Sequence, residues 1–240
     1  ATITVTAVND APTIASLSGD SRAYSEGAGA VVIESGNALV ADVDSTNFDT
    51  GTLTVSIPAG GDSAEDVLSI RNQGTGAGQI GVSGSTVTYQ GVTIGSFTGG
   101  SSGSNLVITL NSSATPTAVT ALVRNITYQN TDTNAPTTGA RTVRFVLTDG
   151  DGGTSPNYDT TVTVSAVNDA PTDLALSAST VAENAANGTF FVNVTATAPI
   201  YTDSDTLCLL DAVPSWFAIN ASTGEITVAD GTLLDYESAT

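Results

Sequence analysis

The heptad "AVNDAPT" stands at residues 7–13 and again at residues 166–172. Each copy follows an alternating run, "TITVT" at 2–6 and "TVTVS" at 161–165. Such alternation is the pattern of a half-buried strand. Pro12 and Pro171 stop that strand, because proline cannot donate to a β ladder. The Asn-Asp pair before each proline is turn chemistry. A phrase that recurs at the end of one strand and the start of the next marks tandem domains. The heptad therefore reads as an interdomain linker. On this reading residues 1–8 are the last strand of an upstream repeat, residues 9–167 form one larger repeat, and residues 168–240 form a second repeat that is truncated at its C-terminus.

The composition supports short strands rather than helices. A length of 240 residues suits one or two domains. The chain is rich in Thr and Val, which are β-branched and favour strands. Gly, Asn, Asp and Ser clusters cut it into short runs, as in an all-β sandwich. Strand candidates in the larger repeat are "TIASLS" near 13, "AVVI" near 30, "LTVSI" near 53, "VLSI" near 67, "STVTYQGVTIGSF" near 85, "NLVITL" near 105, "NITYQ" near 125, "RTVRFVLTD" near 141 and "DTTVTVSAV" near 159. "SSATPTAVTALVRNITY" predicts a short helix. Thr115 caps it, Pro116 takes its first position, and Ala118, Leu122 and Val123 form its apolar face. In the second repeat "INASTGEITV" predicts a hairpin turning at Ala221–Gly224, and Trp216 and Phe217 are expected in the core.

Charge and missing residue types narrow the function. Asp and Glu number 24 against five arginines, for a net charge of −19. That argues against nucleic acid and anionic membrane surfaces as partners, and favours cations. With no histidine there is no Ser–His triad, no Cys–His pair and no His-ligated zinc, and no ordered catalytic set stands out. Cys208 is alone, so no intrachain disulfide forms, and it reads as a small buried hydrophobe. No apolar run reaches the roughly 18 residues of a membrane span. "GTGAGQIG" leads into strand-like residues rather than a helix, which removes the geometry of a dinucleotide loop.

The acidic residues beside loops are the remaining candidates for chemistry. Calcium takes about six to eight oxygen ligands from carboxylates, Asn side chains and carbonyls. A junction where loops and a linker converge supplies that many more readily than a single strand. The candidates are Glu26, Asp42, Asp44, Asp149, Asp151, Asn168, Asp169, Glu183, Asn184, Asp203, Asp205, Asp235 and Glu237.

These motifs carry a family resemblance. In the second repeat "VAENAANG", "TDSD", "FAINASTGEITV" and "LDYES" follow the order of the early glutamate, Asp-x-Asp, hairpin and Asp-Arg-Glu-like motifs of cadherin repeats, and "VND" in both linkers is a shortened form of the cadherin linker. The chain resembles tandem cadherin-like repeats of large bacterial adhesins, often exported by type I secretion. The first repeat, with its helix before "NITYQN", is similar to the longer cadherin-related repeats of those adhesins and of chondroitin-sulphate-proteoglycan-type proteins. The resemblance implies tandem Ig/cadherin-like Greek-key β-sandwiches, the first with one short helix, in an extracellular, secreted or cell-surface protein stiffened by Ca2+. It implies one ligand set of Glu26, Asn168, Asp169, Asp203 and Asp205. A second set would use Asn9, Asp10, Asp42, Asp44 and Asp149, and Glu183, Asp235 and Glu237 would serve a third junction. The implied partners are neighbouring repeats in the same chain, with cell-surface glycans or proteins as adhesion targets. Two other readings stay open: a glycan- or protein-binding module, and accessory repeats of a secreted polysaccharide-degrading enzyme.

Overall fold

A computed structural model describes residues 3–6, 8–170, 173–178, 180–197 and 216–235. The described residues are organised as β-sheets with a short α-helix, and the chain divides into two units, Ala1–Val167 and Asn168–Thr240.

The first unit contains β1 (Thr13–Ala15), β2 (Ser21–Ser25), β3 (Val31–Val32), β4 (Leu39–Ala41), β5 (Thr52–Ala59), β6 (Asp66–Ile70), β7 (Ile80–Ser83), β8 (Thr86–Tyr89), β9 (Val92–Thr98), β10 (Leu106–Leu110), α1 (Pro116–Val123), β11 (Ile126–Asn130), β12 (Gly139–Leu147) and β13 (Tyr158–Ser165). An eight-stranded sheet runs β2-β13-β12-β5-β10-β9-β8-β7, and a three-stranded sheet runs β3-β11-β6. β1 pairs with β4. Period-2 alternation decides which face is inward. Leu53 and Val55 of β5, Val143, Phe145 and Leu147 of β12, and Val162 and Val164 of β13 are buried from the large sheet. Leu68, Ile70, Ile126 and Tyr128 of the smaller sheet belong to the same core. Tyr24 of β2 and Tyr128 of β11 meet edge to face, with centroids 5.2 Å apart. This is a β-sandwich.

The expected helix forms where its signals stand. The Thr115 hydroxyl accepts from the Ala118 N–H at 3.3 Å, Pro116 opens the helix, and Ala118, Leu122 and Val123 are buried. Thr115→Ala is expected to cost the first unit about 1 kcal/mol in urea-unfolding stability, the usual worth of an N-cap. "TYQGVT" makes a two-residue hairpin. Gln90 and Gly91 both have positive φ, 53° and 80°, which matches the strand twist between β8 and β9.

Three strands fall outside the expected runs. β2, "SRAYS", buries only Tyr24 and pairs in parallel with β13. β4 is only three residues long, and β7, "IGVS", pairs at the edge with β8. Ile3 and Val5 lie outside any strand and are 89% exposed, while Val162 and Val164, at the matching places of the repeated phrase, are buried.

The second unit contains β14 (Asp173–Leu176), β15 (Phe190–Thr197), β16 (Phe217–Ile219), β17 (Glu225–Val228) and a 3-10 turn at Gly231–Leu233, with sheet order β14-β15-β17-β16. The predicted hairpin is β16–β17, and Gly224, with φ 71°, closes its turn. Phe217 is half-buried and stacks on Phe191 at 5.3 Å. Trp216 is 42% exposed, not a core residue as the sequence suggested, because it precedes the strand and escapes its alternation. Cys208 and Pro171 lie outside the described residues. Among the described residues no helix is long and apolar enough to cross a membrane.

Candidate functional site

At one end of the first unit the segment Asn9–Ala11 runs between two acidic turns. The turn after β4 carries Asp42 and Asp44. Asp42 Oδ1 accepts from the N–H groups of Asp44 and Ser45 at 3.1 and 3.0 Å, which folds the turn back on itself. Asp44 Oδ2 then accepts from the Asp10 N–H at 3.1 Å. The turn after β12 carries Asp149, which is 1% exposed. Its carboxylate accepts from the N–H groups of Asp151 and Gly153 at 2.8 and 2.9 Å and from the Asn9 side-chain amide at 2.8 Å. Glycine is required here. A Cβ on Gly153 would lie 2.2 Å from Asp149 Oδ2, and Gly150 sits at φ 93° against the Asp49 carbonyl. The structure thus brings Asn9 to Asp149, and Asp10 to Asp44 of the turn that Asp42 shapes.

Burial pushes the Asp149 carboxyl up, but the hydrogen bonds from Asn9 and from backbone N–H groups outweigh it and hold its pKa below the ordinary aspartate value. A carboxyl with a depressed folded pKa adds stability that is present above its unfolded pKa and is lost as pH falls through the folded value. Acid unfolding therefore draws on Asp149 below about pH 4. Asn9→Ala removes one donor. It is expected to raise the Asp149 pKa, measured by carboxyl-carbon NMR titration, and to cost about 1 kcal/mol, discounted because Asn9 is exposed.

Glu26 lies at the opposite end of the β12–β13 hairpin. Its backbone N–H donates to the Ser165 carbonyl at 2.9 Å, and its Oε2 accepts from the Val167 N–H at 2.8 Å. Glu26 is 9% exposed, and its Oε1 is buried without a partner. In the second unit Asn168 is exposed and Asp169 half-buried. The Asn184 N–H donates to the Leu234 carbonyl at 2.8 Å, so Glu183 and Asp235 sit one residue either side of a shared contact. Asp203, Asp205 and Glu237 lie outside the described residues.

The donor chemistry at the Asn9 end fits a hard cation, being all oxygen with several carboxylates. Asp42 Oδ2 is buried and has no partner. The groups are not drawn tight, however. Among the described residues no three Asp, Glu, His or Cys side chains gather closely enough to hold an ion, and several of the carboxylate oxygens are occupied by backbone N–H groups.

A further polar cluster was not anticipated from the sequence. Arg141 is fully buried on β12 and lies 3.3 Å from Asp66 on β6. Asp66 also accepts from the Tyr128 hydroxyl and from the Asp62 N–H. Burial, and then the hydrogen bond to Asp66, pushes the Tyr128 phenol well above its ordinary range.

No protein-family profile matches the chain, and no curated protein sequence does. Solved structures are similar over most of its length. The protocadherin gamma B4 extracellular domain matches at 17% identity and a TM-score of 0.46, covering 96% of this chain and 29% of that one. Human CDH23 EC21-23 matches at 18% identity and 0.39, covering 95% and 56%. Protocadherin gamma B2 extracellular cadherin domains 3-6 match at 15% and 0.38, covering 93% and 44%. The chain thus spans between 29% and 56% of the length of these solved chains.

Proposed function

We propose that this chain is a segment of an extracellular, calcium-binding adhesion protein of the bacterial secreted type, built from tandem cadherin-like repeats. The observation that carries the reading is the Asn9 end of the first unit. Two acidic turns, from distant parts of the chain, flank a linker whose sequence recurs at the next repeat, and they leave the Asp42 Oδ2 atom buried and unpaired. Asn9, Asp10, Asp42, Asp44 and Asp149 would hold the ion, and the ion would supply charge neutralisation and a tie between linker and turns. Glu26, Asn168 and Asp169, with Asp203 and Asp205, would form the equivalent set at the second linker. Residues 1–8 would be the closing strand of a preceding repeat. Ile3 and Val5 would take the buried places that Val162 and Val164 take in β13.

Modules of this class bind calcium with Kd of about 10⁻⁴–10⁻³ M, suited to an external calcium supply. An ion bound only by the folded state stabilises it by about 2.7 kcal/mol at a hundredfold excess over Kd. Calorimetric titration with calcium chloride should show saturable heat in this range. The double variant Asp42→Asn with Asp44→Asn should weaken it at least tenfold, and magnesium should bind less well. No heat up to about 10 mM calcium, or an unchanged titration in the variant, would sink the calcium reading.

A further inference from the structure

The first unit holds a cleft of about 230 Å³, lined by Ile57 and Leu68 together with Asp62, Ser63, Ser104 and Asn105 and three glycines. The glycines make it narrow. A Cβ on Gly100 would lie 2.2 Å from the Leu68 carbonyl, one on Gly103 would lie 3.0 Å from the Ser63 Cβ, and one on Gly61 would lie 2.7 Å from Ile57. Two loops therefore press together around a small apolar floor. Asp66 closes the base, and its charge is compensated by Arg141 and by the Tyr128 hydroxyl.

The rim is polar and uncommitted. Among the described residues the side chains of Ser63, Ser104 and Asn105 hydrogen-bond to no other group of the chain. Asp62 Oδ1 accepts from the Ala64 N–H at 2.9 Å and Oδ2 from the Thr137 hydroxyl at 3.1 Å. Each of these oxygens keeps a second lone pair. Small-molecule sites combine such an apolar surface with a few placed polar groups, and pockets for drug-sized ligands run to about 300–1,000 Å³. A 230 Å³ cleft is therefore the size of a single ring.

From this cleft we propose a binding site for one neutral sugar residue. The ring's C–H face would lie on Ile57 and Leu68. Its hydroxyls would donate to Asp62 and exchange hydrogen bonds with Asn105, Ser63 and Ser104. An anionic ligand is disfavoured, because no basic side chain lines the cleft and two carboxylates do. At the base the Asp66 charge is already compensated by Arg141; at the rim Asp62 is met only by neutral donors, so a cationic group is the competing ligand and the lysine amide probe decides against it or for it. The site shares no residue with the proposed calcium ligands, so its success or failure is independent of that reading.

The test is an amide NMR titration of the whole chain with methyl glycosides of glucose, galactose, mannose and N-acetylglucosamine. Glucuronate and lysine amide serve as anionic and cationic probes, all in the presence of a chelator. At least one neutral glycoside should shift the amides of residues 61–63 and 100–105 with Kd of about 1–10 mM. Asn105→Ala should weaken that binding about tenfold while leaving the rest of the spectrum in place. Ser104→Trp, which blocks the rim, should abolish it. The proposal is overturned by no shift at about 50 mM glycoside, by shifts centred elsewhere, by tighter binding of glucuronate or lysine amide, or by unchanged binding in both variants.

Discussion

Arg141→Met is expected to lower the unfolding free energy of the first unit by about 3–5 kcal/mol. Arg141 has 0% side-chain exposure and Asp66 has 3%, and they meet at 3.3 Å. The guanidinium also donates to the carbonyls of Thr137 and Gly139. Removing it leaves the Asp66 charge, nearly buried at the base of the cleft, with only neutral donors: the Tyr128 hydroxyl, the Asn130 side-chain amide and the Asp62 N–H. Methionine fills part of the volume, so the loss is electrostatic more than steric. The double variant with Asp66→Asn should recover much of the stability, because it removes the stranded charge as well. Urea unfolding followed by far-UV circular dichroism measures the cycle. The only tryptophan, Trp216, lies in the second unit, so its fluorescence tracks that unit separately. A single-variant loss under about 1 kcal/mol would show that the pair is not buried as described.

Phe48→Ala should cost about 3–5 kcal/mol and loosen the acidic turn beside it. Phe48 is fully buried although it sits in a loop, between Asp44 and β5. Its N–H donates to the Ala114 carbonyl at 3.0 Å, and its carbonyl accepts from the Gly51 N–H at 3.0 Å. The ring is thus the anchor that seats the loop carrying Asp42 and Asp44 on the core. Truncation leaves a cavity and releases that loop, so hydrogen exchange should accelerate at Asp44 and Ser45 more than at β10 amides. Phe48→Leu should restore most of both properties. Uniform acceleration throughout the unit would mean that the loop has no anchor of its own.

Much of this architecture is legible in the sequence because alternation and turn chemistry are local. β5, β10, β12 and β13 declare themselves through inward Val, Leu and Phe at every second place, and α1 through Thr115 and Pro116. β2 does not, since its partner is a parallel strand from the far end of the unit and only Tyr24 faces the core. β4 is too short to show a period. Arg141 hid in plain alternation: it occupies an inward place of β12 together with Val143 and Phe145, and charge alone would assign it outward. Its partner Asp66 comes from β6, while Tyr128 and Asn130, which also donate to Asp66, come from β11, and no spacing links them in the chain. The acidic turns were legible as candidates because Asp-x-Asp and Asp-Gly-Asp-Gly-Gly are turn formers as well as ligands. Their hydrogen bonds to the Asn9–Asp10 segment follow from the topology that sets the ends of β4 and β12 beside the start of β1. The cleft was not legible at all. It depends on glycines that let two loops approach, and their sequence context is that of any surface turn.

The most direct measurement of the account is the location of a bound lanthanide. Substoichiometric gadolinium, added in competition with calcium, broadens amide signals near its site. Broadening is expected to centre on residues 9–11, 42–45 and 149–153, with a second focus at Glu26 and Val167, reversed by calcium and lost at the first focus in the Asp42→Asn, Asp44→Asn variant. Broadening spread evenly over the acidic surface of a chain with net charge −19, or centred away from both linkers, would contradict it.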